Sequence, residues 1–276
     1  MKRLGVIGYP IKHSISPQMH TAAIDLLGLD FTYESFEVKP EDLEKFIGRI
    51  KSNEIHGINV TIPHKENIIQ YLDKVDDFAK KIGAVNTVVN KNGKLVGYNT
   101  DYQGFLDSLL IDVGFDPKGR SAAVLGCGGA SRAVCGGLCA AGISKLTIYD
   151  SVESKSKELF NHLKKNFKTD IKISQDLKQD ILDSDLLVNT TPVGMFPNIQ
   201  NSPIPADFIQ ENVIVFDVIY NPAETKLLKD AKAAGSKTVN GLNMFVRQGA
   251  LSFKIFTGQD APIEIMRKAV QDSLKK

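Results

Sequence analysis

The segment NVTIPHK, residues 59–65, places a lysine directly after an apolar strand-like run and a proline. A lysine amine aimed into a cleft can exchange a proton with a reacting oxygen, provided that its surroundings adjust its protonation. The proline and the apolar spacing of KENIIQYL predict that a helix begins near Lys65. An ordinary solvated lysine at a helix entrance is therefore the alternative interpretation.

A glycine-rich turn offers a second kind of chemistry. The stretch VLGCGGASRA follows a predicted strand and opens a predicted helix. Gly126 permits the tight turn, Gly128 allows a pyrophosphate to approach the backbone, and Gly129 and Ala130 keep the loop small. The helix N-terminus behind them supplies free N–H groups. A serine replaces the third glycine of the usual GxGxxG, and a turn built only for packing is the alternative.

Asp150 ends the next predicted strand, KLTIYD, about 20 residues further on, as a dinucleotide-binding turn requires. A carboxylate at this position accepts hydrogen bonds from the ribose hydroxyls of NAD and repels the extra phosphate of NADP. The alternative is a helix N-cap. The context favours a dinucleotide site.

Polar residues end several predicted strands, where an amide without a partner would be costly to bury. The pair Asn-Thr recurs at Asn86-Thr87, Asn99-Thr100 and Asn189-Thr190. Together with Thr61 and Asp101, these residues predict a polar cleft. Ser14 and Ser16 add hydroxyl groups, although Ser16 before Pro17 also fits a helix cap. A lining of neutral donors suits a small polyhydroxy acid.

Composition excludes several classes of function. The 276 residues carry 34 basic and 32 acidic side chains, and no block of like charge indicates a nucleic-acid or membrane partner. Three cysteines do not describe a disulfide framework, and the histidines show no metal-ligand spacing. No signal peptide and no apolar run of about 20 residues is present. We expect a cytoplasmic protein without a metal.

Strand and helix patterns alternate along the chain, which predicts an α/β protein with largely parallel sheets. The length favours two domains. We place the first at residues 1–102 and the second at 103–240, and we expect the helical segment 241–276 to return to the first. Asn92-Gly93 predicts a two-residue hairpin.

Several motifs together resemble the shikimate dehydrogenases, the family that includes the quinate/shikimate dehydrogenases. They are GYPIKHSISP, NVTIPHK, GAVNT, GYNTDYQG, GCGGASRA, NTTPVGM, DVIYNPAETKLL and NGLNMFVRQGA. The resemblance implies an N-terminal α/β substrate domain, a Rossmann-like dinucleotide-binding domain, and C-terminal helices that pack on the first domain. It also implies reversible NAD(P)-dependent reduction of 3-dehydroshikimate to shikimate, a step of aromatic amino acid biosynthesis.

The resemblance also assigns roles to residues. It makes Lys65 and Asp101 the catalytic pair. The residues that it assigns to the substrate are Ser14, Ser16, Thr61, Asn86, Tyr220 and Gln248. In addition to Asp150, the residues expected at the cofactor are those that the resemblance assigns there: Gly126, Gly128, Gly129, Ala130, Thr190, Val218 and Gly241. The expected assembly is a monomer or a homodimer.

The chain departs from the family pattern at the cofactor. Members that use NADP typically carry Asn-Arg-Thr where this chain has Asp150-Ser151-Val152. The arginine that grips the phosphate is missing, and only Lys155 could partly replace it. NAD or dual use is therefore favoured over strict NADP use. Tyr9, where many members have asparagine, is a smaller departure that bears on substrate fit.

Three other functions remain open at the level of sequence. A quinate dehydrogenase, or an enzyme that takes both acids, is compatible with Asp150. A methylenetetrahydrofolate dehydrogenase shares a related cofactor domain, but its pterin site calls for residues other than Ser14 and Ser16. A non-catalytic dinucleotide-binding regulator would be favoured if Lys65 or Asp101 were absent, and both are present.

Overall fold

The computed structural model describes residues 1–275 and divides the chain into two compact units. The first unit comprises Met1–Gly104 and the segment from Val246 onward, and the second comprises Phe105–Phe245. Each unit is built on its own six-stranded sheet.

The sheet of the first unit has the strand order β2-β1-β3-β5-β6-β4. Its strands are β1 (Lys2–Gly8), β2 (Phe31–Glu37), β3 (Gly57–Val60), β4 (Lys74–Val75), β5 (Thr87–Lys91) and β6 (Lys94–Tyr98). The first helices are α1 (Ser16–Leu26), α2 (Leu43–Lys51), α3 (Asp77–Ile82) and α4 (Asp101–Val113), which continues into the second unit. β1 pairs in parallel with β2 and β3, whereas β5 is antiparallel to β3 and β6.

Helix α2 shows how the sequence builds the core of this unit. Its buried residues Leu43, Phe46, Ile47 and Ile50 recur at helical spacing, so they form one apolar face. They pack in a cluster with buried strand residues such as Ile58. The opposite face of α2 carries charged side chains and stays in water.

The predicted hairpin is confirmed between β5 and β6. Asn92 and Gly93 both have positive φ, 54° and 83°, which is the conformation that a two-residue primed turn requires.

The prediction that a helix begins near Lys65 is wrong. Lys65 lies in a turn, and only a short 3₁₀ helix follows, over Asn67–Tyr71. The physical reason is that the carbonyl oxygen of Lys65 accepts a hydrogen bond from the backbone N–H of Val85 at 2.8 Å. That carbonyl is therefore committed to the neighbouring chain segment instead of to a following helical turn.

The sheet of the second unit has the order β12-β11-β10-β7-β8-β9, and all its pairings are parallel. Its strands are β7 (Ser121–Leu125), β8 (Lys145–Tyr149), β9 (Asp170–Ile173), β10 (Leu186–Asn189), β11 (Ile214–Asp217) and β12 (Thr238–Val239). Its helices are α5 (Gly129–Ala140), α6 (Glu153–Asn166), α7 (Leu177–Leu182) and α8 (Lys226–Ala233). This is the doubly wound strand order, and the predicted Rossmann-like fold class is confirmed.

Two further helices complete the chain. α9 (Leu242–Thr257) begins in the second unit and ends in the first, and α10 (Ile263–Leu274) packs on α1. In the described part of the chain, no helix combines the length and the hydropathy needed to cross a membrane. Among residues 1–275, no group of three or more acidic, histidine or cysteine side chains could hold a metal ion.

All three cysteines are free and lie in the buried core of the second unit. Burial raises the pKa of Cys127 and that of Cys139 to about 11, and raises the pKa of Cys135 well above its ordinary value. Cys127 packs into this core from the turn between β7 and α5, and Cys135 and Cys139 pack into it from α5.

Candidate active site

Lys65 and Asp101 form an ion pair in the first unit. The Lys65 Nζ atom lies 2.7 Å from Asp101 Oδ2, and their side chains are 14% and 9% exposed. Lys65 is carried by the turn after β3, and Asp101 is the first residue of α4. Because the pair is withdrawn from water, its attraction is screened much less than that of a surface pair. A solvated surface lysine does not fit this burial.

The amide of Asn86 fixes the second carboxylate oxygen. Asn86 Nδ2 donates to Asp101 Oδ1 at 2.8 Å and also approaches Gln248 Oε1 at 3.3 Å. Asn86 Oδ1 accepts from the backbone N–H of Thr100 at 2.8 Å, which determines the direction in which the amide faces. Both oxygens of Asp101 are thus engaged, one by the ammonium group and one by the amide.

A buried hydrogen-bond network extends behind Asn86, and three of its members, Asn59, Tyr33 and Ser252, were missed by sequence reasoning. Asn59 Nδ2 donates to Ser252 Oγ at 2.9 Å, and Tyr33 donates to Asn59 Oδ1 at 2.8 Å. Ser252 Oγ also lies 2.7 Å from Thr87 Oγ1 and 3.0 Å from Thr100 Oγ1. A polar Asn59 in the buried strand GINV was a signal that partners must exist. Nothing in the sequence around Ser252 indicates its role.

The remaining candidate substrate residues of the first unit follow the same sheet edge. Thr61 comes directly after β3, and its N–H donates to the carbonyl of Ile7 in β1 at 2.9 Å. Ser14 lies in the connection after β1, where its Oγ accepts from the N–H of Ser16 at 3.3 Å. Ser16 is buried at the first position of α1, whose N-cap is Ile15, so Ser16 is not the cap of this helix.

The glycine turn of the second unit connects β7 to α5 as the sequence predicts. Gly126 has φ +96°, a left-handed conformation that favours glycine, and a Cβ there would lie 2.6 Å from Thr190 Oγ1. Gly128 is the N-cap of α5 without a capping side chain, and the space beside its Cα is open. Gly129 and Ala130 are the first helical residues. The uncapped N–H groups and the open space fit a bound phosphate group.

Asp150 is joined to the glycine turn by a direct contact. Its Oδ2 accepts from the N–H of Cys127 at 2.9 Å, and its Oδ1 accepts from the N–H of Val152 at 2.9 Å. A cavity of ≈ 330 Å³ lies beside it. The cavity is lined by Tyr149, Asp150, Ser151, Glu153, Ser156, Lys157, Ile173, Ser174 and Gln175. Its position next to Asp150 fits a ribose and its base.

The other candidate cofactor residues lie at neighbouring strand ends of the same sheet. Thr190 follows β10 and donates from both its N–H and its hydroxyl to the carbonyl of Leu125. Val218 follows β11, and a Cβ on Gly241 would lie 1.9 Å from the Val218 carbonyl oxygen. Only glycine fits at position 241.

Tyr220 lies in the second unit, whereas the other substrate candidates lie in the first. Its ring stacks on Phe245 at 4.6 Å between ring centroids, and burial raises the pKa of its hydroxyl to about 12. Its predicted contact with the substrate stays a prediction.

Two family models match parts of the chain. Residues 6–88 match the shikimate dehydrogenase substrate binding domain, and residues 241–271 match the shikimate 5'-dehydrogenase C-terminal domain.

Individual proteins match over nearly the whole chain. A protein of Methanopyrus kandleri named shikimate dehydrogenase (NADP(+)) is 42% identical over 277 residues, which cover 99% of this chain and 96% of the relative. A crystal structure of a shikimate dehydrogenase in complex with NADP+ is 40% identical, with a TM-score of 0.92 over 100% of this chain and 96% of the other. The enzyme from Listeria monocytogenes, solved with shikimate and NAD, is 33% identical, with a TM-score of 0.88 over 98% and 96%.

Proposed function

The chain belongs to the shikimate dehydrogenase family, and on that premise we propose that it catalyses the reversible reduction of 3-dehydroshikimate to shikimate. The observation that carries this proposal is the buried contact of 2.7 Å between Lys65 and Asp101. A bound nicotinamide dinucleotide supplies the hydride to the carbonyl carbon in reduction. The proton for the carbonyl oxygen must then come from a group on the protein.

Lys65 is that proton donor in the proposed mechanism. Its ammonium group gives a proton to the forming alkoxide, and in the oxidative direction the neutral amine takes the proton back. Asp101 holds the amine in place through the ion pair. Asn86 keeps the carboxylate turned toward Lys65 by occupying its other oxygen. Ser14, Ser16, Thr61, Asn86, Tyr220 and Gln248 bind the carboxylate and hydroxyl groups of the substrate.

Gly126, Gly128, Gly129 and Ala130 bind the pyrophosphate in this proposal, because the start of α5 offers N–H groups without a capping side chain. Thr190, Val218 and Gly241, which follow neighbouring strands of the same sheet, would hold the rest of the dinucleotide.

We further propose that NAD is used better than NADP, although the relatives are named for NADP. The carboxylate of Asp150 lines the cavity that we assign to the ribose, and Glu153 lines the same cavity. Lys157, which lines that cavity, is already paired with Glu153 at 2.7 Å. An additional phosphate would therefore meet the Asp150 carboxylate and a Glu153–Lys157 pair whose charges offset each other, with no arginine in the segment directly after β8.

The test is a matrix of shikimate and quinate against NAD and NADP, followed by absorbance of the reduced nicotinamide. We expect the highest kcat/KM with shikimate and NAD, about tenfold or more above shikimate with NADP. Replacing Asp150→Asn together with Ser151→Arg should shift the preference toward NADP. Higher turnover with NADP in the unaltered protein would overturn the proposed preference for NAD and leave the proposed reaction intact.

A second outcome of the same matrix would change the substrate. Faster turnover of quinate would make the protein a quinate dehydrogenase, which Asp150 also permits. Dinucleotide binding without turnover of either acid would overturn the enzymatic proposal and favour a regulator.

A further inference from the structure

The carboxyl edge of the second sheet carries a buried acid that has no role in the mechanism above. Asp217 is the last residue of β11 and is fully buried. In the strand register it stands opposite Asn189, the last residue of β10, which in turn stands opposite Leu125 at the end of β7. Three neighbouring strands therefore end side by side, and one of them, β7, leads directly into the glycine turn.

Asp217 receives three hydrogen bonds from neutral donors. Its Oδ1 accepts from Asn189 Nδ2 at 3.0 Å and from the N–H of Ile219 at 3.1 Å. Its Oδ2 accepts from Thr225 Oγ1 at 2.7 Å, and Thr225 is the N-cap of α8. An ionised carboxylate can only accept hydrogen bonds, so Asp217 forces the amide of Asn189 to present its NH₂ group.

The orientation of the Asn189 amide controls the turn that follows it. With its NH₂ group on Asp217, its Oδ1 accepts from both the N–H and the hydroxyl of Thr191, at 3.0 and 2.7 Å. The Thr191 hydroxyl in turn accepts from the N–H of Val193 at 3.2 Å. Thr190, within this turn, contacts Gly126 of the glycine turn. A reversed amide would break the bonds to Thr191.

The Asp217 carboxylate also holds the start of the chain beyond β11, because it accepts from the N–H of Ile219. The N–H of Val218 donates to the carbonyl of Asn189 at 3.0 Å, and the carbonyl of Val218 lies against Gly241. The residues that directly follow Asn189 and Asp217, Thr190 and Val218, thus lie against Gly126 and Gly241 respectively.

We infer that Asp217 is a positioning residue for the dinucleotide site, acting through the amide of Asn189. The carboxylate sets the shape of the 190–193 turn before any ligand arrives, so it lowers the reorganisation that binding requires. It touches neither the dinucleotide nor the substrate in this assignment, which rests on the proposed function.

The test measures NAD binding by calorimetry on the full chain without substrate, so that turnover is not the readout. We expect Asp217→Ala to weaken the Kd by a factor of about ten, because buried donors lose their acceptor. Asp217→Asn should bind within a factor of about two of the unaltered protein. Its oxygen can face Asn189 and Ile219 while its NH₂ group donates to Thr225, so the geometry is kept.

Asp185→Ala is the matched control. Asp185 also joins β7 to β10, by accepting from the N–H and hydroxyl of Ser121, but it does so at the amino edge of the sheet. This variant should lose stability and keep its Kd for NAD. If the control also binds NAD about tenfold more weakly, the inference is overturned, because any damage to the sheet would then be enough to weaken NAD binding.

A second variant tests the route through the amide even if Asp217→Ala does not fold. Asn189→Ser removes the amide and leaves Asp217 with Ile219 and Thr225, so it should weaken NAD binding about as much. Unchanged binding in this variant, or in folded Asp217→Ala, overturns the inference and leaves the proposed function intact. If the unaltered protein binds neither NAD nor NADP, the proposed function fails and the inference falls with it.

Discussion

At the scale of single residues, two effects on the free energy of the Lys65–Asp101 pair oppose each other, the loss of hydration on burial and the attraction between the two charges. A buried ion pair loses hydration on both sides, and its mutual attraction compensates only if the geometry is good and the remaining hydrogen bonds are made. The pair meets this condition because Asn86 occupies the carboxylate oxygen that Lys65 leaves free. The amine is therefore held in one place but keeps protons to give.

Lys65→Met removes the proposed proton donor while it keeps most of the apolar stem. We expect kcat to fall by about 10³-fold, within the range for loss of a general acid, and KM for shikimate to change only a few-fold. Steady-state kinetics in both directions checks this. Lys74→Met, at an exposed lysine of β4 in the same unit, is the control and should be unchanged. Normal turnover in Lys65→Met would remove Lys65 from the mechanism.

Ser252→Ala tests the network behind the pair. The hydroxyl contacts Asn59, Thr87 and Thr100, so its loss should loosen the Asn86 amide and lower kcat roughly fivefold, as expected for one neutral hydrogen bond. Ser273→Ala is a matched control, because both hydroxyls donate to the backbone carbonyl four residues earlier, Ser252 to Gln248 on α9 and Ser273 to Ala269 on α10. Equal kcat in the two variants would show that the network does not act on turnover.

The sequence identifies the residues that carry chemistry better than those that hold them. Lys65 and Gly126 stand in short motifs whose local pattern points to a role. Asn59 and Ser252 are 193 residues apart in the chain, and their contact arises only when α9 packs on the first sheet. No local pattern encodes such a pair.

At the scale of elements, strand ends determine where the polar groups lie. Two of the three Asn-Thr pairs predicted at strand ends are found there: Asn99-Thr100 follows β6 and Asn189-Thr190 ends β10. Asn86-Thr87 instead stands at the start of β5, and the pairs belong to two different units, Asn86 and Asn99 to the first and Asn189 to the second. Sequence reasoning placed them on strand ends because of the apolar residues before them. The predicted domain boundaries already separate Asn189 from the other two, but the order of the strands, and therefore which strand ends are neighbours, is a property of the fold.

The connection between β12 and α9 provides a sharp test of close packing. Gly241→Ala would set a Cβ 1.9 Å from the carbonyl oxygen of Val218, so one backbone segment must move. We expect NAD binding to weaken by at least tenfold and the protein to lose roughly 1–3 kcal/mol of stability.

Gly48→Ala is the contrasting variant for that test. Gly48 is exposed within α2, and a Cβ there meets nothing within 4 Å. This change should stabilise the protein by about 0.5–1 kcal/mol because alanine favours the helix. Thermal unfolding of both variants checks that Gly241→Ala lowers the stability and that Gly48→Ala raises it. Destabilisation by Gly48→Ala would contradict the packing described for α2.

At the scale of the whole molecule, one chain forms two compact units. The compact units divide at Gly104 and at Phe245, within α4 and α9. Sequence patterns place a domain boundary in a polar joint or at the start of an element, since apolar periodicity runs unbroken through a long helix. The assignment of substrate to one unit and cofactor to the other stays a proposal.

Asp217 makes the stability of the second unit depend on pH. Burial raises the pKa of its carboxyl from an ordinary 3.8 to about 6. A raised folded-state pKa means that its stabilising contribution is complete below pH 3.8 and is lost as the pH rises through 6. The rise corresponds to at most about 3 kcal/mol.

Asp217→Asn cannot ionise, so it should be more stable than the unaltered protein at pH 8 and equal to it near pH 4. Denaturant unfolding at several pH values checks this, with Asp185→Asn as the comparison, because the pKa of Asp185 is lowered and not raised. If the difference in unfolding free energy between Asp217→Asn and the unaltered protein is the same at pH 4 and pH 8, the burial of an ionised Asp217 is contradicted.

The three buried thiols give the second unit a built-in reporter. Alkylating and disulfide reagents attack the thiolate, and Cys127, Cys135 and Cys139 are both shielded and held in the protonated form. Labelling near neutral pH should therefore proceed only when this unit opens, and a bound dinucleotide should slow it. Mass spectrometry of time-resolved labelling would then measure how often this unit opens within the intact chain, without any engineered cysteine.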